Sequence, residues 1–266
     1  SQPIMEGTLP EGFRVHLTLD EVSKRGHTFT LRKHRAEPYT ITDLIKLGTI
    51  STHMAAYFWI LIENARSVMV CGPTASGKTT LLNSISMFIR PETKIVTIEE
   101  TREIRLQHEN WIPMVTRQSF QPGVQEVTLY DLLKSSLRQR PDYIIVGEIR
   151  GEEAYTFFQS IAVGHGGICT LHAESADTAV KRLLTRPLDI PLMLIPFMNV
   201  IVLTRRMKIE DTVGRRAQVV SEIAGVEEAT RKVMFNKVYD WNPLDDTFHF
   251  TGKSLMLDRI AEMRYT

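Results

Sequence analysis

The sequence predicts an α/β fold built on a mainly parallel sheet, and three observations carry that reading. From residue 67 onward, runs rich in β-branched residues alternate with stretches of helical period. The runs are continuously apolar, as strands covered on both faces are, rather than alternating apolar with polar. A glycine-rich segment, "GPTASGKTT" at 72–80, falls between one such run and a helical stretch.

Taken in order, "FRVHLTL" (13–19) and "HTFTLRKH" (27–34) are short strand-like runs with "SKRG" turning between them. Two strands alone make a marginal unit in water, so residues 1–37 are expected to be a truncated remnant, the tail of an N-terminal domain. Pro38 punctuates the chain there. "TITDLIKLG" turns helical, with Gly48 placed to close the helix and Ser51 or Thr52 to cap the next. Residues 38–66 are thus expected to be linker helices. The strands expected in the remainder, 67–266, are 67–71, 94–98, 142–147, 167–171 and 200–204. In the helical stretch 128–139, Leu129, Leu132, Leu133, Ser136 and Leu137 share one face. Residues 215–226 and 232–241 predict an antiparallel extension, and 253–263 a closing helix.

Composition narrows the class. Of 266 residues 43% are hydrophobic and 24% charged, ordinary globular values with ample length for a core. The 32 basic residues balance 31 acidic ones, and no basic cluster stands out, so no nucleic-acid partner is expected. Cys71 and Cys169 form no CxxC, which argues against both a disulfide framework and a cysteine zinc site. "MAAYFWILI" (54–62) is about half the ~20 residues a spanning helix needs, and "IPLMLIPFMNVIVL" (190–203) is broken by Pro191, Pro196 and Asn199. Both are expected to be buried core, the second a helix running into a strand, with no transmembrane segment.

The segment 71–80 matches GxxxxGK[ST]. Glycines let successive backbone N–H groups face a phosphate, and the following helix adds its positive end. Gly72, Pro73, Thr74, Ala75, Ser76, Gly77, Lys78, Thr79 and Thr80 are therefore the expected nucleotide-binding residues, with Mg²⁺. Lys78 would reach the β and γ phosphates, and the Thr79 hydroxyl would ligate the metal.

Two further strands end in acids. "DYIIVGEIRG" (142–151) places Glu148 where a Walker B acid belongs and makes it a second metal candidate; a solvated glutamate is the plain alternative. "IVTIEETREI" (95–104) brings Glu99, Glu100 and Glu103, which could shape a Mg²⁺ site and place a base on the attacking water, or form a solvated acidic turn. "GHGGICTLHA" (164–173) puts His165 and His172 seven apart. An isolated pair of this kind is more often structural, and no partner at metal-ligand spacing suggests zinc. The Walker elements upstream favour a role beside the γ phosphate.

With these residues in hand, the chain resembles the secretion-superfamily ATPases of type II secretion, type IV pili, the archaellum and type IV secretion. Four segments carry the resemblance in the family's order: "GPTASGKTT", "TIEETREI" as Asp box, "LRQRPDYIIVGEIRG" as Walker B and "GHGGICTLHA" as His box. "LRQRPD", "HENW" and "TLRKH" are similar to the archaeal branch. Glu99-Glu100 stands where the family usually has Glu-Asp.

The resemblance implies a RecA-like P-loop NTPase core, with ATP held between a subunit's two domains in a homo-hexameric ring. It implies a motor, cytoplasmic and peripheral at the inner face of the membrane, working against a membrane-embedded platform protein. Glu103 would be the general base, with Glu99 and Glu100 in support. Glu148 would serve the metal–water shell, and His172 and His165 would sense the γ phosphate. Arg25 and Arg32, and also Arg117, would reach the phosphates. A RecA-like nucleic-acid translocase and a non-hydrolysing nucleotide-gated scaffold are the alternatives. Charge balance argues against the first, and acids after two separate strands argue against the second.

Overall fold

Apolar runs that continue without a polar break need two covered faces, and the strand before the glycine-rich loop shows how this chain supplies them. In β4 (Val68–Cys71), Val68 and Val70 enter one core cluster, Met69 and Cys71 the other. Alternate side chains of a strand point to opposite faces, so each cluster receives every second residue. A fully buried apolar side chain of this size contributes about 1.5–3 kcal/mol.

The protein is described by a computed structural model covering residues 2–10, 12–33, 35, 37–117, 123, 125–209 and 211–265. The chain opens with β1 (Ile4–Thr8), β2 (Arg14–Thr18) and β3 (Thr28–Arg32), an antiparallel three-stranded sheet. β1 lay outside the sequence expectation, and His34 at the end of the second expected run lies outside the described residues. The register puts Met5, Val15, Leu17, Phe29 and Leu31 on one face and Glu6, Arg14, His16, Thr30 and Arg32 on the other. Next come α1 (Ile41–Lys46) and α2 (Thr52–Glu63), each started by a side-chain cap: Thr40 with Asp43 in a capping box, and Ser51 accepting from the Met54 N–H. Gly48 follows α1 at φ +68°, a left-handed residue of the kind that ends helices.

The remaining elements are β4, α3 (Lys78–Ser86), β5 (Ile95–Glu99), β6 (Trp111–Val115), α4 (Leu129–Arg138), β7 (Tyr143–Val146), α5 (Glu153–Ala162), β8 (Gly166–Leu171), α6 (Ala176–Leu184), β9 (Val200–Ile209), β10 (Thr212–Glu227), β11 (Lys232–Asn242), β12 (Thr247–Phe250) and α7 (Leu255–Tyr265). Their sheet runs β12-β11-β10-β9-β4-β8-β7-β5-β6. The pairs from β9 to β6 are parallel, and β10, β11 and β12 extend the sheet antiparallel. α1, α2, α3 and α7 cover one face, α4, α5 and α6 the other.

The run 54–62 buries Met54, Ala55, Tyr57, Phe58, Leu61 and Ile62, while Trp59 stays exposed and stacks on Phe88. Where a helix was expected before β9, the prolines leave a 3-10 turn, Leu192–Phe197. Among the described residues no helix is long and apolar enough to cross a membrane.

Glu222 of β10 is wholly buried and accepts from the Tyr57 hydroxyl (2.9 Å), Asn236 Nδ2 (2.9 Å), the Ser254 hydroxyl and the Leu255 and Met256 N–H groups (2.7 and 3.3 Å). The carboxylate thereby fastens the start of α7 to the sheet.

Candidate nucleotide site

Parallel strands end together, so the segments following β4, β5, β7 and β8 gather at one edge of the sheet, where open α/β sheets hold ligands. The loop 72–77 is bent there by its glycines. Gly72 has φ +154°, and a Cβ on it would come within 2.4 Å of the Thr204 carbonyl oxygen and 2.5 Å of Ser76 Oγ. Gly77, at φ +93°, starts α3 with no side-chain cap, leaving the first N–H groups of the helix for an anion. Ser76 Oγ is 2.8 Å from Thr204 Oγ1, which donates to the Cys71 carbonyl at 3.0 Å.

Lys78 is 8% exposed, and its ammonium donates to the Pro73 carbonyl (3.1 Å) and to Nδ1 of His172 (3.2 Å). Burial holds the Lys78 pKa below its ordinary value, with Glu148 opposing. Nε2 of His172 lies 3.0 Å from Glu148 Oε1. A charged Lys78 donating to Nδ1 leaves the proton on Nε2, so the imidazole is neutral and points its N–H at Glu148. Burial depresses the His172 pKa as well, against the pull of Glu148 and with help from Lys78, Arg150 and Arg182. The other Glu148 oxygen meets Arg150 at 2.7 Å, and Arg150 reaches Glu100 at 2.9 Å.

The acids after β5 divide their work. Glu103 pairs with Arg32 at 3.0 Å, which brings the N-terminal sheet to the cleft. Glu99 is 3% exposed, and its Oε1 accepts the Glu103 and Ile104 N–H groups at 2.8 and 2.9 Å. Its Oε2 is buried with no hydrogen-bond partner among the described residues, and burial raises the carboxyl pKa to about 7. A carboxyl with one oxygen anchored and the other free has the makings of a proton acceptor near neutrality.

Thr74, Ala75, Gly77, Lys78, Thr79, Thr80, Glu99, Glu100, Glu103, Glu148, His172 and Arg32 all line one cleft of about 940 Å³. His165 is not brought there. Its Nδ1 is 2.7 Å from the Pro141 carbonyl, and the six residues of β8 separate it from His172 by roughly 20 Å. Arg25 sits exposed on the β2–β3 turn, at the far end of a five-residue strand from Arg32. Arg117 spends its guanidinium on the Gln125 carbonyl. Sequence reasoning missed Arg14, Lys33, Arg35, Arg105, Arg150 and Arg215 on the cleft wall. Arg150, two residues beyond Glu148, was the one with a local signal. Among the described residues no group of three His, Cys, Asp or Glu could hold a metal ion unaided. Thr79 and Glu148 on this wall suit a magnesium ion that arrives with phosphates.

The sequence profile of the type II/IV secretion system protein family matches residues 1–233. The chain belongs to this family. A relative in it, an uncharacterized protein of Methanocaldococcus jannaschii, is 48% identical over 221 residues, 83% of this chain and 82% of that one. Among solved structures, the VirB11 ATPase of the Brucella suis type IV secretion system, in complex with sulphate, is 26% identical with a TM-score of 0.52, over 80% of this chain and 72% of that one. The pilus retraction motor PilT with bound ADP has a TM-score of 0.60 at 21% identity, over 98% of this chain and 66% of that one, a likeness of fold alone. This type II/IV secretion family member thus has the mixed α/β fold, with its large, mainly parallel sheet, of the VirB11 and PilT ATPases.

Proposed function

We propose that this protein hydrolyses ATP as one subunit of a homo-hexameric ring motor. The ring would drive assembly of a type IV pilus-like or archaellum filament, or type II/IV protein secretion, against a membrane-embedded platform protein. The observation that carries the reading is the chain Lys78–His172–Glu148, in which one neutral imidazole joins the phosphate-loop lysine to the Walker B carboxylate. In this reading residues 1–37 are part of an N-terminal domain, 38–66 link it, and 67–266 form the ATPase domain, working at the inner face of the cytoplasmic membrane.

The backbone of 72–80 and Lys78 hold the phosphates. Thr79 and Glu148 would hold Mg²⁺, which would supply positive charge against the phosphates. The water oxygen bonds to the γ phosphorus, the bond to the bridging oxygen of ADP breaks, and the water proton passes to a carboxylate. Glu99 is taken as the acceptor of that proton rather than Glu103, because Arg32 engages Glu103 while the second Glu99 oxygen, buried at the cleft wall, has no hydrogen-bond partner among the described residues. Arg32 approaches the phosphates from the N-terminal sheet, where it can offset charge in the transition state. Loss of the γ phosphate withdraws the anion that Lys78 and His172 face, which is how hydrolysis would be passed to movement.

ATP hydrolysis per subunit, measured across protein concentration, tests this. Specific activity should climb with concentration as the ring assembles, and Lys78→Ala should abolish it. Nucleotide binding without turnover at any concentration would replace the motor with a nucleotide-gated scaffold.

A further inference from the structure

Arg215 lies outside all four sequence motifs, on β10, two strands away from β4 in the sheet. Its Nε nevertheless donates to the Ala75 carbonyl at 3.1 Å, 140 residues away in sequence. Its Cδ stands where a Cβ added to Gly77 would come within 3.0 Å. Ala75 and Gly77 are the points at which the loop's second half leaves ordinary backbone geometry, at φ +62° and +93°. Positive φ is uncommon for a residue that carries a Cβ, and it persists where surroundings enforce it. Thr204 of β9 braces the first half of the loop; Arg215 braces the second.

A second observation concerns charge. Arg206 of β9 is the direct register partner of Arg215, so both side chains share a face. Like charges in directly opposed positions destabilise a strand pair. Among the described residues no carboxylate lies within 4.0 Å of either guanidinium, and Nε makes the one hydrogen bond of the Arg215 head. The remaining N–H donors, on the wall that also presents Lys78, are free for an anion.

We infer that Arg215 is a positioning residue of the phosphate loop: it holds Ala75–Gly77 in the ligand-ready shape and turns its free donors to the polyphosphate of a nucleotide, whose charge offsets the Arg206–Arg215 repulsion. The inference rests on the reading of this cleft as the nucleotide site. Its content is that the β9–β10 hairpin, and not the loop alone, sets nucleotide affinity.

The test is equilibrium binding of a fluorescent ADP analogue to the full chain, alongside ATPase kinetics and thermal melts, for wild type, Lys78→Ala, Arg215→Ala, Arg215→Lys and the exposed control Arg205→Ala. Arg215→Ala should weaken binding about ten- to a hundredfold, the worth of a charge-assisted hydrogen bond, and raise KM by a similar factor. Its kcat should stay within about threefold and its ligand-free melting temperature within about 2 °C, since the lost contact is exposed. Arg215→Lys, with charge but no fork, should recover part of the affinity, and Arg205→Ala should bind as wild type. Wild-type affinity in Arg215→Ala, while Lys78→Ala binds poorly, would overturn the inference and leave the nucleotide reading standing. A loss of affinity that merely tracks a lowered melting temperature, with no recovery by lysine, would overturn it too. A folded wild type that does not take the analogue at all would overturn both.

Discussion

The imidazole of His172 stands between two groups of opposite charge, with Nε2 3.0 Å from Glu148 and Nδ1 3.2 Å from the Lys78 ammonium. One ring thereby joins the glycine-rich loop to the segment that follows β7. Among the described residues His165 makes no such contact, although the two share a motif.

Replacement of each histidine should therefore give different results. His172→Ala is expected to lower ATP turnover at least about a hundredfold, in the range of lost acid–base or electrostatic groups. His165→Ala should stay within about threefold of wild type and act instead on stability, by about 1 kcal/mol, through its bond to the Pro141 carbonyl. Steady-state kinetics and urea melts on both variants check this; equal losses of turnover would refute the separation by β8.

Acid should act on His172 in a defined direction. Its pKa lies below the ordinary 6.5 because burial disfavours the charged ring. The unfolded chain takes up a proton as pH falls below 6.5, before the folded one does, so stability owed to this group is present above that value and is lost as pH falls toward the folded pKa. A protonated ring also loses the acceptor that Lys78 uses. The melting temperature should therefore decline below about pH 6.5, kcat should fall only as pH nears the lower pKa of the folded ring, and His172→Gln should flatten that part of the kcat profile.

Glu99 behaves in the opposite sense. Its folded pKa of about 7 exceeds the ordinary 4.5, so the folded protein holds the extra proton between these values. Stability owed to it falls as pH rises from 4.5 to 7, by an amount on the order of 3 kcal/mol at most. Glu99→Gln should melt several degrees higher than wild type at pH 8 and nearly alike at pH 5. Its turnover should drop by about two to four orders of magnitude as the proton acceptor is lost. Higher activity in Glu99→Gln than in Glu103→Gln would return the role of base to Glu103.

Thr204→Val removes a buried hydroxyl while keeping its shape. Ser76 Oγ and the Cys71 carbonyl would each lose a partner, so the variant should be less stable by about 1–3 kcal/mol. It should also bind ADP less tightly, because Ser76 lies within the loop. Chemical denaturation and titration calorimetry on the one variant read both effects.

The parallel core was legible because each strand and helix of it has a local period, and the bent loop 72–77 because its glycines fall at fixed spacing before a helix. β6 was missed on account of Pro113, which removes a donor and so reads as a breaker; as the edge strand, β6 tolerates it. The paired histidines misled because spacing along a chain says nothing of which end of a strand each occupies. Arg25 and Arg32 are similarly close in sequence and stand at opposite ends of β3. Arg215 had no local signal at all. Its position over Ala75 depends on the pairing of β9 with β10, including the register shift between Ala217 and Val219.

Glu222 imposes an order on biosynthesis. Its carboxylate is sealed from water, yet its partners are contributed by Tyr57, Asn236 and the segment 254–256. Until residue 256 has left the ribosome this charge has no full set of donors, and burying it unpaired would cost several kcal/mol. β10 can therefore lie down against β9 early, but the corner between α2, β11 and α7 closes only once residues 254–256 have emerged. The parallel half of the sheet, with the phosphate loop, has no such dependence and is free to form while the ribosome is still at work.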